Sequence, residues 1–215
     1  FVASSKREYT FDANGNQTFE IRYNWDTNSQ SFVPSYKREK TFDANGNQTL
    51  DISYQWNTDS QSFVGFIKIE NAYDANGNRT LYIDYSWDTE TESFFASSKY
   101  EFTYDENGNQ TLYRSYFWDT VSQSFVGFIK TENAYDANGN RTLYIYIEYL
   151  WDTNSQSLVP NFKREYTYDA NGNQTLNIDY YWDTETESFF ASSKREYTYD
   201  ANNFKTNETS YSWNA

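Results

Sequence analysis

An acidic, turn-like element, Asp-Ala-Asn-Gly-Asn, recurs at 12–16, 43–47, 74–78, 136–140 and 169–173, and with Glu106 in place of Ala at 105–109. Its side chains could do three kinds of chemistry. Clustered Asp and Asn oxygens could coordinate Ca2+, but the alternating ligand spacing and distal Glu of an EF-hand loop are missing, and turn formation accounts for every residue. No metal site is therefore expected. The last Asn opens an Asn-x-Thr sequon, so Asn16, Asn47, Asn78, Asn109, Asn140 and Asn173 are candidate glycosylation sites, joined by the out-of-register Asn207. The competing explanation is local: Asn flanks a turn and Thr begins a strand. Because the motif is copied, the first six stand or fall together.

A second chemistry is stacking. The chain has 22 Tyr, 17 Phe and 7 Trp, and a regular row of rings beside Asn, Asp and Arg could hold the apolar faces of polysaccharide sugars. Trp25, Trp56, Trp87, Trp118, Trp151, Trp182 and Trp213 are the most regular members of that row; alternatively, these rings are the packing face of a sheet. Arg7, Arg38, Arg164 and Arg195 share one column, where stacking of Arg on Tyr competes with an anionic-ligand site. Catalysis finds little to work with. The chain has no Cys, His or Met, which removes thiolate nucleophiles, imidazole bases and Cys/His zinc sites. Carboxylates are plentiful, yet each recurs once per repeat, giving lines of charge and no unique acid/base pair. No catalytic residue, cofactor or enzyme activity is expected. With 17 basic against 31 acidic residues the formal charge is −14, which disfavours nucleic acid and anionic membranes as partners. No apolar run approaches the ~18 residues of a membrane-spanning helix, so direct membrane insertion is not expected either.

What positions these residues is a repeat. The Trp spacings are 31, 31, 31, 33, 31 and 31 residues, which divides the chain into a single array of seven repeats, 1–31, 32–62, 63–93, 94–124, 125–157, 158–188 and 189–215. The chain begins and stops between repeats, as a segment of a longer array would. The last repeat has Asn207 and Thr209 in apolar columns and no Gly in its turn, as a terminal cap would. Within a repeat, Leu50, Ile52, Tyr54 and Trp56 alternate with Asp51, Ser53 and Gln55, the period of a half-buried strand. The fifth repeat inserts two residues between Leu143 and Trp151, lengthening its strand without exchanging the faces. Asp first, Asn third and Gly fourth are the preferences of a type I turn with a left-handed Gly bulge.

The sequence thus predicts an all-β fold, seven 31-residue β-hairpin repeats in a continuous antiparallel meander. Fourteen strands exceed the ~10 at which open sheets curl or split, so a coiled or solenoid-like array is expected. Pairing Asp43 with Asn47 and counting outward puts Phe42, Lys40, Arg38, Tyr36 and Phe32 on the face of Leu50, Ile52, Tyr54 and Trp56. Lys37, Glu39 and Thr41 would then form a solvated charge ladder behind it. The second turn sets Trp56 opposite Phe63.

The [Phe/Tyr]-Asp-Ala-Asn-Gly-Asn element, clearest from Tyr73-Asp74, Tyr104-Asp105, Tyr135-Asp136, Tyr168-Asp169 and Tyr199-Asp200, resembles the YD repeats of the Rhs family. The whole repeat is similar to tandem repeats in secreted and surface proteins of Bacteroidota. This resemblance implies an extracellular or cell-surface all-β array, exported by a type IX system whose sorting domain lies outside this stretch. Two functions stand as expectations. One is a structural protein, a stalk or fibre segment that self-associates through its sheet edges. Near-identical copies favour it, such as Val64-Gly65-Phe66-Ile67-Lys68 and Val126-Gly127-Phe128-Ile129-Lys130, because duplication supplies length. The other is a surface adhesin or glycan-binding module that applies its aromatic ladder to polysaccharide.

Overall fold

The computed structural model describes residues 4–152 and 157–213, Trp151 by its backbone alone. Fourteen strands follow one another: β1 (Ser5–Phe11), β2 (Gln17–Asp26), β3 (Ser31–Phe42), β4 (Gln48–Asn57), β5 (Ser62–Tyr73), β6 (Arg79–Asp88), β7 (Ser93–Tyr104), β8 (Gln110–Asp119), β9 (Ser124–Tyr135), β10 (Arg141–Asp152), β11 (Ser157–Tyr168), β12 (Gln174–Asp183), β13 (Ser188–Tyr199) and β14 (Lys205–Ser212). They form one open sheet in chain order, β1 to β14, and every described pairing is antiparallel. The array of hairpins read from the sequence is the fold. Among the described residues no helix is long and apolar enough to cross a membrane. The chain divides into two compact units, Phe1–Lys99 and Tyr100–Ala215, a division that falls inside β7 and not between repeats.

The first kind of turn forms as its residues require. Asp12 N–H donates to the Asn16 carbonyl at 2.9 Å, Gly15 N–H donates to the Asp12 carbonyl at 3.1 Å, and Gly15 takes φ of 85°. Only a residue without Cβ adopts that φ freely. In the last such turn Asn203 takes over, at φ 65° and with the same backbone hydrogen bonds, so loss of the Gly leaves the turn intact. Asn is the residue that best tolerates the left-handed region after Gly. The second kind of turn, between Trp and the next strand, has no Gly and instead places Gln30, Gln61, Glu92, Gln123 and Glu187 at φ 49° to 53°.

The faces within each hairpin differ from the count made outward from Asp43. Phe42 pairs with Gln48, but Thr41 pairs with Leu50, so β4 carries one extra residue beside the turn. Leu50, Ile52 and Tyr54 consequently stand opposite Thr41, Glu39 and Lys37, and not beside Lys40, Arg38 and Tyr36. A one-residue bulge reverses every side chain that follows it. The expected solvated ladder of Lys and Glu is therefore part of the aromatic face, and the Arg column belongs to the opposite one. The second turn sets Trp56 opposite Phe63 as expected, and a second slip, at Ser53 and Tyr54, puts Lys68 and Glu70 opposite Ile52 and Leu50. In unit 2 the same two slips appear between Thr167 and Tyr168 and between Ser115 and Tyr116. The insertion in β10 leaves the faces in place, with Leu143, Ile145 and Ile147 opposite Thr167, Glu165 and Lys163.

Side chains explain why the first bulge is stable. Thr41 and Thr49 share a hydroxyl hydrogen bond of 2.9 Å across it. The Gln48 carbonyl accepts both the Tyr73 hydroxyl and the Asn71 amide of the next repeat, each at 3.1 Å. In unit 2 Tyr135 and Asn133 hold Gln110 in the same way, and Tyr199 holds Gln174. The Tyr of these Tyr-Asp pairs is thus a clip to the preceding hairpin.

Within each unit the core is thin. Ala96 is the one buried apolar side chain among the described residues, and the other buried side chains are the polar Glu20, Asp51, Ser115 and Thr131. Most residues on both faces are half-buried, covered by same-face neighbours on adjacent strands. Cross-strand pairs worth ~0.2–1 kcal/mol each, summed over many rungs, carry a sheet of this kind.

Candidate functional site

The six in-register sequon asparagines are tied into their turns. Each donates its Nδ2 to the Asp that opens the turn: Asn16 to Asp12, Asn47 to Asp43, Asn78 to Asp74 and Asn173 to Asp169 at 3.0 Å, Asn109 to Asp105 at 2.9 Å, and Asn140 to Asp136 at 3.2 Å. The other oxygen of the same carboxylate accepts two backbone N–H groups, from Asn14 and Asn16 at 2.9 and 2.8 Å in the first copy. These donors, the Asn16 side chain first, hold the Asp12 carboxyl below the ordinary carboxylate range. Asn207 is different. It is exposed on β14, and its Nδ2 donates to the hydroxyl of Thr209, the Thr of its own sequon, at 3.2 Å. Among the described residues no three acidic side chains are grouped so that they could hold a metal ion.

The Trp column is largely engaged. Trp25 meets Phe32, Trp56 meets Phe63, Trp87 meets Phe94, Trp118 meets Phe125 and Trp182 meets Phe189, all edge to face with centroids 4.9–5.1 Å apart. Trp151 pairs through its backbone with Leu158, and its side chain lies outside the described residues. Trp213 is 70% exposed.

Beside the Trp column runs a feature that sequence reading missed. Lys37 Nζ lies 3.9 Å from the centroid of the Tyr54 ring and 3.0 Å from Glu39 Oε1, while the Tyr54 hydroxyl donates to Glu39 Oε2 at 3.3 Å. The same Lys-Glu-Tyr triad forms at Lys6, Glu8 and Tyr23, at Lys68, Glu70 and Tyr85, at Lys163, Glu165 and Tyr180, and at Lys194, Glu196 and Tyr211. Burial, then the hydrogen bond to Glu, pushes Tyr180 up to about 12 and Tyr116, on Glu101, to about 12 as well. Such phenols stay protonated donors and are poor nucleophiles. The signal was available: Lys, Glu and Tyr keep fixed columns, but only the bulged register brings them together.

The opposite face holds the arginines. Arg22 donates from Nε and a terminal nitrogen to Glu20 at 2.6 and 3.2 Å, and Arg38 does the same to Asp51, from Nε at 2.7 Å. Gln48 adds a bond to Asp51 at 3.2 Å. Arg22, which lies outside the Arg column read from the sequence, stacks on Tyr36 at 4.7 Å from its centroid, and within that column Arg164 lies 6.0 Å from the centroid of Tyr166, both on the face away from Trp. In unit 2 Arg164 donates to Asp179, which also accepts from Ser193 at 3.2 Å.

No protein-family model and no curated protein matches the chain. Solved structures do. A Bacteroides fragilis NCTC 9343 protein of unknown function is 15% identical at a TM-score of 0.40, over 60% of this chain and 89% of its own. A DUF3836 family protein from Bacteroides vulgatus ATCC 8482 is 16% identical at a TM-score of 0.35, over 44% of this chain and 91% of its own. The TcdB2-TccC3 crystal structure is 14% identical at a TM-score of 0.32, over 88% of this chain and 12% of that one. These likenesses concern the fold alone.

Chemically, then, one face offers rings locked in pairs and Tyr-capped ion pairs, repeated along the array. The other offers paired and unpaired charges that change from repeat to repeat.

Proposed function

We propose that the chain is a structural repeat protein, a stalk or fibre segment of extracellular β-sheet. The observation that carries this reading is repetition of the geometry itself. The Asp–Asn turn, with its Asp N–H to Asn carbonyl bond of 2.9 Å, is reproduced six times, and the edge-to-face Trp–Phe pair five times. A chain selected for one reactive pocket would break the pattern at that pocket; a chain selected for length and stiffness would keep it. β1 and β14 each pair on one side only, leaving outward N–H and C=O groups through which copies could join. The Tyr-Asp element supports a YD-type array of the kind borne by secreted and surface proteins, and with it the extracellular assignment. An adhesin that stacks sugars on the Trp column is less well supported, because most of those rings already face a Phe.

Electron microscopy with light scattering on the purified chain tests the reading. Fibres, or particles whose mass grows with concentration, are expected. A concentration-independent monomer would remove self-association and leave at most a stalk segment.

A further inference from the structure

The two faces are not equally constant. Lys and Glu hold their columns on the Trp face in every repeat, whereas one column of the opposite face reads Glu20, Asp51, Tyr82, Tyr113, Tyr144, Asn177 and Glu208. Repeat proteins that keep one set of positions for folding leave the others free for recognition.

On β1 to β4 this variable face collects positive charge. One rung runs Arg7, Arg22, Tyr36, Gln55; the next runs Tyr9, Glu20, Arg38, Ser53; and Lys40 stands opposite Asp51 beyond them. Four cations thus share a patch with two carboxylates. Glu20 and Asp51, each 5% exposed, are taken up by Arg22 and Arg38. Arg7 and Lys40 have no ion-pair partner among the described residues. Arg7 also lies directly opposite Arg22, a like-charge pairing that the Glu20 carboxylate, bonded to Arg22 and attracted by Arg7, relieves in part. The surplus is local and runs against a chain whose net charge is −14.

The remaining groups describe the anion. Tyr9 is 44% exposed on the same face as Arg7, offering a ring for stacking. A cavity of about 450 Å³ beside the arginines has Asn24, Ser35, Tyr36 and Gln55 in its wall as amide and hydroxyl partners, and also reaches residues of the Trp face, Lys6, Tyr23 and Trp56. Arginine forks match planar carboxylates, and rings with neighbouring amides match the faces and hydroxyls of a sugar. An extended peptide could add a strand only at the outer edge of β1, because β2, β3 and β4 are paired on both sides, and it would lie beside the patch and not across its arginines.

We propose that this patch binds a carboxylated sugar polymer, with a uronate carboxylate between Arg7 and Arg22 and a sugar ring on Tyr9. This goes beyond the structural role and does not depend on fibre formation.

Calorimetric titration of the 215-residue chain with polygalacturonate at low salt tests it, using the methyl-esterified polymer and poly-glutamate as comparisons. The parent is expected to bind polygalacturonate, at least tenfold more weakly once the polymer is esterified. The double variant Arg7→Gln, Lys40→Gln breaks no ion pair, should keep the parent's near-ultraviolet circular dichroism, and is expected to bind at least tenfold more weakly. Lys194→Gln with Lys205→Gln, which removes the same charge elsewhere, should stay within about twofold of the parent, as a specific patch demands. No binding by the parent, equal binding by the Arg7 and Lys40 variant, or poly-glutamate binding as tight as polygalacturonate would each overturn the proposal.

Discussion

Val64-Gly65-Phe66-Ile67-Lys68 on β5 and Val126-Gly127-Phe128-Ile129-Lys130 on β9 are identical in sequence and differently surrounded. A Cβ on Gly65 would lie 2.1 Å from the Trp87 ring of β6, whereas on Gly127 the nearest side chain among the described residues would be the Tyr116 ring of β8, at 3.1 Å. Lys68 stands opposite Tyr85, which covers it at 4.4 Å and donates to Glu70 at 2.7 Å. Lys130 stands opposite Ile147, and its 2.6 Å pair with Glu132 has no ring over it among the described residues. The cause is the partner strand, since β10 has 12 residues where β6 has 10. Local sequence makes the strand; the neighbour across the next turn decides what its side chains touch.

Breaking the close approach should have the largest effect. Gly65→Ala is expected to cost about 3 kcal/mol and Gly127→Ala about 1, because overpacking against a fixed ring typically costs ~1–3 kcal/mol. Urea midpoints followed by Trp fluorescence would check this, and equal shifts would mean that Trp87 yields freely. Next comes the triad. Tyr85→Phe should cost about 1 kcal/mol by removing a hydrogen bond to a carboxylate, and Ile147→Tyr should recover part of that amount at Lys130. Burial raises the Glu70 carboxyl, but the Lys68 and Tyr85 hydrogen bonds outweigh it and leave it lowered, while burial and then Glu70 raise Tyr85. The Glu70 contribution is therefore present above the unfolded value of ~4.3 and fades as pH falls through the lower folded one. The Tyr85 contribution is present below ~10 and fades as pH rises through its higher folded value. The stability gap between parent and Tyr85→Phe should thus be flat from about pH 5 to 10 and close at both ends.

The smallest effect serves as a control. Gln61 and Gln123, at φ 52° and 50° in the turns before the two pentapeptides, should each gain about 0.5 kcal/mol on replacement by Gly, which relieves the left-handed backbone at the cost of a looser unfolded chain. Unequal gains would show that the difference between the pentapeptides extends into their turns.

The same contrast marks what could be read in advance. Seven hairpins, both turn positions and the Trp56–Phe63 pair were legible because Asp43, Asn45 and Gly46 each serve a requirement of the turn, and because Trp recurs with an even phase. The faces of Lys37, Glu39 and Arg38 were not legible. Gln48 and Thr49 carry no mark of a bulge, whose partners, Thr41 and Tyr73, come from other strands. Of the candidate sites, the sequon asparagines were found where turn chemistry put them, while the charged patch around Arg7 emerged only once the register had moved the Arg column off the Trp face.

Strand order in strict chain sequence also bears on how the molecule comes into being. Every described hydrogen-bonded rung joins segments adjacent along the chain, so no strand waits for a distant partner. Loop-closure entropy stays small at each step, the condition under which β-structure forms quickly. A nascent chain can thus complete one hairpin for about every 31 residues released, each finished edge templating the next.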